Sequence, residues 1–436
     1  MGLDAAAASI EPQAVAGGQQ LDAATIQTLS PEDLDRLIGP ERSHQVGTLS
    51  DWLIKTARST DIPSELIDQL CEKLIAMGVP LDRYGSVAQT LDAEHDAISR
   101  LWIRGQGVTE RTYVRAGSSD DDPRYLTSPF HAAAESRRWV EFRLAETDDS
   151  AFGIVAELRA DGYTHYVCVP IFLMNGANGW VTFATKREPG FSSPDLGVMA
   201  RIIPAIAILI DLRSNWLALH QLLRTYVGEE PHNAILRGNT KRGQVSTIKS
   251  AMLFADMRDS VGHTADLSAV EAVDVFNALF DTLVPSIESR RGEVLKYIGD
   301  GLLAIFREAP DRTGCDAAAR ALAAAEEALA TLAAYNLAHP GQRSIEIGIA
   351  LHYGEAAYGN IGSGVRLDFT VIGRDVNLAS RIADMNRKLG EPLLMSRSFV
   401  ERLRRQTVEL GSFPARGFRD PVEVFRPEEP AKRAAE

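Results

Sequence analysis

The chain is poor in cysteine, with Cys71, Cys168 and Cys315 its only three in 436 residues. No two of them form a CxxC pair, so neither a zinc knuckle nor a disulfide framework is indicated, and a reducing compartment is expected. It also lacks a surplus of basic charge. Lys plus Arg number 46 against 59 Asp plus Glu, a net charge of −13. That balance excludes a dedicated nucleic-acid binder and broad adhesion to anionic membranes. Long apolar runs are missing too: the most apolar stretch, residues 198–210, is broken by Arg201 and Pro204. A membrane span needs about 20 apolar residues, so none is expected. The start, MGLDAAAASI, has no basic region and no long apolar core, which argues against a signal peptide. Ala6 stands where a myristoylation signal has Ser or Thr. No Gly-rich loop ending in Gly-Lys-Ser/Thr occurs, which excludes a P-loop ATPase. A cytoplasmic protein is expected.

What is present is ordinary globular material, 45% hydrophobic and 24% charged, enough for two or three domains. Residues 1 to about 28 are rich in Ala, Gln and Gly and read as loosely attached; 1–45 are expected to form a flexible extension. Within it, Ser30-Pro31-Glu32 still reads as a helix start, and a further helix follows Pro63. Residues 95–210 turn to strands. His165–Phe172 and Trp180–Thr185 are the clearest, joined by a turn with Asn175-Gly176 and Asn178-Gly179. Phe191-Ser192-Ser193-Pro194-Asp195 then opens an apolar helix to Leu212, continued by a helix to Val227. The polar Gly238–Gly243 stretch marks a boundary.

The second half is strongly patterned. Residues 251–255 form an apolar strand ending at Asp256. Ser268 and Glu271 read as a capping box. Glu293–Ile298 and Leu302–Phe306 flank the tight turn Gly299-Asp300-Gly301. Residues 316–335 form an Ala-rich helix, 345–352 a strand, 375–389 a helix and 392–395 a strand. The order β-α-β-β-α-β predicts a split βαβ arrangement, an antiparallel sheet with helices on one face.

In that topology the first strand lies beside the hairpin, so Asp256 and Asp300 meet at one sheet edge. Paired carboxylates with phosphate and water oxygens suit Mg²⁺. Each taken alone reads as a cap or turn residue. In Gly373-Arg374-Asp375-Val376-Asn377-Leu378-Ala379-Ser380-Arg381, Asn377 and Arg381 share a helix face. Asn inside a helix is mildly unfavourable and calls for a reason.

Three motifs in this order, FADMRDS, KYIGDG and FTVIGRDVNLASR, resemble the class III nucleotidyl cyclase catalytic domain over residues 248–426. The resemblance implies a ferredoxin-like α+β domain and a set of roles. Asp256 and Asp300 would bind two divalent cations, Mg²⁺ or Mn²⁺, with the Met257 carbonyl as a further ligand. The backbone of Met257, Arg258, Asp259 and Ser260 would cradle the triphosphate. Asn377 would orient the ribose and Arg381 would stabilise charge on the α-phosphate. Arg416, in Ala415-Arg416-Gly417-Phe418, falls where the family has a lysine for the terminal phosphates. Lys296 and Thr370 would read the base. Lysine only donates and a Thr hydroxyl accepts, which complements adenine at N1 and its 6-amino group. The resemblance thus implies an adenylate cyclase that turns ATP into 3′,5′-cyclic AMP and pyrophosphate. It also implies a homodimer in which Asp256 and Asp300 come from one copy and Lys296, Thr370, Asn377 and Arg381 from the other. The alternative is an inactive cyclase-like module that binds nucleotide or dimerises. A diguanylate cyclase would need a Gly-Gly-(Asp/Glu)-Glu-Phe turn, and this chain has Gly299-Asp300-Gly301-Leu302-Leu303.

Val169-Pro170-Ile171, the Gly-rich hairpin and the helix start at Phe191 resemble a GAF-like sensory domain. The expected organisation is 1–45 extension, 46–212 GAF-like α/β regulatory domain for an unidentified small-molecule or protein signal, 213–245 linker helix and hinge, 246–427 cyclase domain, and 428–436 tail.

Overall fold

The computed structural model describes residues 20–57, 63–90, 95–114, 122–308 and 315–428. The chain divides into two compact units, Met1–Leu222 and Leu223–Glu436.

The first unit opens with α1 (Ala23–Ile26), α2 (Pro31–Ile38), α3 (Pro40–Ala57) and α4 (Pro63–Ala76). Its sheet contains β1 (Arg83–Gln89), β2 (His95–Ile103), β3 (Gly107–Val114), β4 (Val140–Arg143), β5 (His165–Phe172) and β6 (Asn178–Thr185). Short helices α5 (Pro123–Leu126), α6 (Pro129–Ser136) and α7 (Val155–Ala160) lie between strands, and α8 (Ser193–Val227) follows them. The strand order is β3-β2-β1-β6-β5-β4, and every pair is antiparallel. Strand β5 is buried on both faces. Val167, Val169 and Ile171 join a core with α1–α4 and α8, whereas Tyr166 and Cys168 join Phe142 and Leu158 on the other face. That double burial explains its nearly continuous apolar run.

The expected flexible extension is corrected here. Residues 20–45 are helical, Asp22 and Ser30 cap α1 and α2, and Ala23, Ile26, Leu34 and Ile38 are buried. A boundary at residue 45 falls inside α3. The segment has few large apolar groups, but helical spacing puts them on one face. Residues 1–19 and 429–436, the rest of the expected extension and nearly all of the tail, lie outside the described residues.

The second unit starts with α9 (Glu229–Leu236), β7 (Val245–Met257), α10 (Ser260–Thr264) and α11 (Ala269–Ser289). The hairpin β8 (Glu293–Ile298) and β9 (Gly301–Arg307) follows, then α12 (Cys315–Ala338), β10 (Ile347–Gly362) and β11 (Leu367–Ile372). The chain continues through α13 (Arg374–Leu389), β12 (Leu393–Ser396), α14 (Arg397–Val400), β13 (Thr407–Phe413) and β14 (Val422–Pro427). Strand order is β13-β14-β12-β10-β7-β9-β8, with β11 paired to β10. The expected β-α-β-β-α-β order holds, and the Ser268–Glu271 capping box is present. Two expectations are corrected. Helices cover both faces of the sheet. Ala251, Leu253 and Ala255 pack with α11 and α12, while Met252 and Phe254 pack on the face that carries α13. The sheet is also not wholly antiparallel, because β10 and β12 run parallel. The intervening α13 acts as their crossover.

Ile26 tests the revised amino-terminal boundary. Ile26→Ala should cost about 2–5 kcal/mol, as for other buried Ile-to-Ala changes. Urea unfolding measures this; an unchanged midpoint is the outcome expected of a loose extension.

Candidate functional site

Asp256 occupies the last turn of the pleat in β7, opposite Gly301 on β9 and Gly348 on β10. Alternation along β7 points it to the face that carries α13, like Met252 and Phe254. The Met257 N–H donates to the Asp300 carbonyl at 3.3 Å. That bond ties the β8–β9 turn to the strand end and brings the two aspartates together. Asp256 is exposed at the open end of the sheet, yet its carboxyl is pushed up to about 6. Partial desolvation is the first cause, followed by the charges of Asp300 and Asp384. Like charges held this close favour either a proton or a cation. Two carboxylates, a neighbouring main-chain carbonyl and open solvent provide hard oxygen donors for a divalent cation. Among the described residues no group of three or more His, Cys, Asp or Glu side chains is gathered for a metal. A cation here would therefore take its remaining ligands from carbonyl, water or phosphate oxygens.

The loop after Asp256 is braced, and this narrows the expected phosphate cradle. The Met257 N–H is taken by Asp300, and the Arg258 N–H donates to the Glu346 carbonyl at 2.8 Å. The Arg258 guanidinium donates to the carbonyls of Glu391 (2.6 Å) and Asn386 (3.4 Å). The N–H groups of Met257 and Arg258 are thus taken, and Nη2 of Arg258 is turned to main-chain carbonyls rather than to phosphate. Asp259 adopts a left-handed conformation, φ 53°, and its carboxylate pairs with Arg343 at 2.6 Å. Of the four loop residues, only Asp259 and Ser260 remain as main-chain donors, at the head of α10.

The two residues expected to read the base lie on β8 and β11. Lys296 stands opposite Leu303 on β9, after a bulge between Val294 and Lys296. Its ammonium pairs with Asp368 at 3.2 Å. Thr370, two residues further along β11, is opposite Gly359 and only 4% exposed. Its hydroxyl is buried without a hydrogen-bond partner. Such an orphaned group is unfavourable in a resting protein and is expected where a ligand completes the bonding.

Asn377 and Arg381 stand one turn apart on α13. Asn377 is exposed, and its amide makes no hydrogen bond among the described residues. Arg381 donates to Asp384 at 3.0 Å. Arg416 is exposed in the β13–β14 connection. Its neighbours Ala415 and Phe418 pack into the apolar cluster of Ile382 and Met385 on α13. The structure therefore places the expected residues as a carboxylate pair, as Lys296 and Thr370 on β8 and β11, and as a polar and cationic group on and beside α13. Sequence reasoning missed Asp368, Asp384 and Glu346. Asp368 had a usable signal, its period-two spacing from Thr370 on one strand face; Glu346 had none.

The family profile described as adenylate and guanylate cyclase catalytic domain matches residues 244–423. An adenylate cyclase of Anabaena cylindrica is 33% identical over 171 residues, which cover 38% of this chain and 33% of that one. The chain spans 33%, 41% and 36% of the length of the first three curated relatives it matches. Among solved structures, the adenylyl cyclase CyaB from P. aeruginosa is 21% identical, covers 44% of this chain and 100% of that chain, and has a TM-score of 0.38. The guanylyl cyclase Cya2 is 27% identical, covers 43% of this chain and 97% of that chain, and has a TM-score of 0.38. The paired aspartates after β7 and in the hairpin turn, the α13 motif and the family match agree: residues 244–423 are a class III adenylate and guanylate cyclase catalytic domain.

Proposed function

We propose that this domain is an adenylate cyclase. The observation that carries the choice of purine is the pairing of Lys296, which can only donate, with the buried and unpartnered Thr370 hydroxyl. Lys296 donates to adenine N1 and the Thr370 oxygen accepts from the 6-amino group. Guanine would set its N1–H against the ammonium, and each unpaired buried group costs about 1–3 kcal/mol.

The reaction is intramolecular. The ribose 3′-hydroxyl gives its proton to Asp256 or to water, its oxygen forms a bond to the α-phosphorus, the bond from that phosphorus to the β-phosphate bridging oxygen breaks, and pyrophosphate leaves. Alignment supplies much of the acceleration. Two divalent cations, Mg²⁺ or Mn²⁺, held by Asp256, Asp300 and the Met257 carbonyl would activate the 3′-hydroxyl and neutralise the leaving group. Asn377 orients the ribose. Arg381 exchanges Asp384 for the charge developing on the α-phosphate. Arg416 meets the terminal phosphates, with the main chain of Asp259 and Ser260.

The working form is a homodimer with two composite sites. Asp256, Asp300 and the phosphate loop act from one copy, and Lys296, Thr370, Asn377 and Arg381 from the other. The exposed, solvent-facing position of Asn377 supports this reading. The first unit is a GAF-like sensory domain that regulates the cyclase in the cytoplasm. Its antiparallel sheet with helices on both faces supports that assignment. So does a cavity of about 220 Å³ lined by Ile67, Tyr84, Ile98, Ile206 and Trp216. Among the described residues no helix is long and apolar enough to cross a membrane.

Three outcomes are expected. At neutral pH Asp256 is ionised against the pull of its shifted pKa. Its favourable contribution to folding is complete below the ordinary carboxyl range and lost as pH rises through about 6. Asp256→Asn should therefore raise the Tm of chelator-treated protein by about 2–4 °C, the effect of roughly 1 kcal/mol in a unit of this size. It should also remove the Mn²⁺-dependent rise in Tm and nearly all turnover. A normal Mn²⁺ response would contradict the assignment. Lys296→Glu should lower the ATP:GTP ratio of kcat/KM by about tenfold or more, as a carboxylate accepts from guanine N1–H. A ratio that does not move would remove Lys296 from base recognition. Mixing Asp256→Asn with Arg381→Ala protein should restore about a quarter of wild-type activity, since about half the dimers are mixed and each has one intact site. No recovery despite demonstrated subunit exchange would exclude shared sites.

A further inference from the structure

Helix α13 carries Asn377 and Arg381, so its attachment to the sheet decides where those groups stand. It is fastened to β10 at two points. At its carboxyl end the buried Asn386 amide donates to the carbonyls of Ile349 (3.1 Å) and Glu391 (2.9 Å). A Cβ on Gly348 would lie 2.6 Å from that of Asn386. At its amino end Asp375 seats over Gly354, where any side chain would overlap its carboxylate. There Asp375 Oδ2 accepts from the Glu355 N–H at 2.8 Å.

The other oxygen, Oδ1, faces His352 Nε2 at 3.9 Å, and His352 is 3% exposed. Two serine hydroxyls lie beside Nδ1. The Ser398 hydroxyl donates to the Tyr353 carbonyl at 2.7 Å. Ser396 Oγ accepts from the Phe399 N–H at 3.3 Å and lies 2.8 Å from His352 Nδ1. Ser396 Oγ also lies 3.2 Å from Ser398 Oγ, a second acceptor for its proton. It is the Asp375 carboxylate facing Nε2, which can only accept, that places the imidazole proton on Nε2. That nitrogen is buried with no hydrogen-bond partner and is aimed at Asp375. At 3.9 Å the contact is electrostatic, longer than a hydrogen bond. His352 is the first cause of the lowering of the Asp375 pKa.

We infer that His352 and Asp375 are positioning residues for the cyclase reaction: His352 Nε2–H fixes Asp375, and Asp375 fixes the first turn of α13 and with it Asn377 and Arg381. The inference rests on the roles given above to Asn377 and Arg381. The residues assigned to the metal and base stand on β7, β8, β11 and the hairpin turn, so a displaced α13 leaves ATP bound and misplaces the groups that act in the transition state.

The test compares full-length wild type with His352→Phe, which keeps a ring and loses the donor, and His352→Gln, which keeps an N–H donor. With ATP and Mn²⁺, His352→Phe should lower kcat about 10–100-fold with KM within about twofold. His352→Gln should recover most of the loss, and the Mn²⁺-dependent rise in Tm should be unchanged in both. A kcat for folded His352→Phe equal to wild type overturns the inference, as does an equal loss in both variants. If His352→Phe does not fold, Asp375→Asn decides. It still accepts from Glu355, and a lowered kcat with retained KM supports the inference while an unchanged kcat overturns it. A wild type that forms no cyclic nucleotide would count against the functional reading alone. Hydrogen exchange then decides: faster exchange at residues 376–381 in His352→Phe supports the clamp, and unchanged exchange overturns it.

Discussion

The crowding of Asp256 against Asp300 is the constraint around which the catalytic unit is arranged. Two carboxylates at one sheet end repel, and the Asp256 carboxyl is pushed up by partial desolvation first and by the charges of Asp300 and Asp384 second. They stay together because the β7–β9 register places Asp256 opposite Gly301 and because the Met257 N–H holds the Asp300 carbonyl. The pair therefore derives its geometry from backbone pairing, and a long-range antiparallel ladder keeps the charges in place. The α11 and α12 face supplies the apolar burial that anchors this ladder. The opposite face packs against α13 and carries Asp256 at its open end.

Much of this was legible in the residues. The apolar run before Asp256, the glycine-flanked turn at Asp300 and the helical spacing around Asn377 are local signals, and each survived into the fold. Strands β11, β13 and β14 were not read, because they lie towards the sheet margins, where exposure weakens the alternation that marks a strand. The extent of β7 and β10 was underestimated for the same reason: their outer halves turn polar where the pair extends beyond the core. Residues 20–45 misled through composition. Ala23 and Ile26 are small in number but fall on one helical face, and Ser30 starts the next helix.

The site was legible in its residue types and less so in its connections. Arg258 reads as a phosphate ligand by position, yet its N–H goes to Glu346 and its guanidinium to Glu391 and Asn386. Those partners are set by topology, not by any neighbouring residue. Asp368 and Asp384 look like ordinary solvated acids on a strand and a helix. Only the fold shows that each is paired with a cation assigned to the nucleotide.

That pairing has a consequence for how tightly any anion is held. Lys296 and Arg381 already have carboxylate partners at 3.2 and 3.0 Å. On the proposed function, binding a nucleotide would be an exchange of one ion pair for another. Exposed pairs of this kind are worth only about 0–1 kcal/mol, so the exchange is nearly balanced. A lone phosphate ion offers little to drive it, whereas a nucleotide brings base, ribose and triphosphate contacts at once. On the proposed function, cutting the triphosphate would divide that combined advantage between two smaller molecules. The internal carboxylates would then compete again for their cations, which would favour rapid clearing of the site.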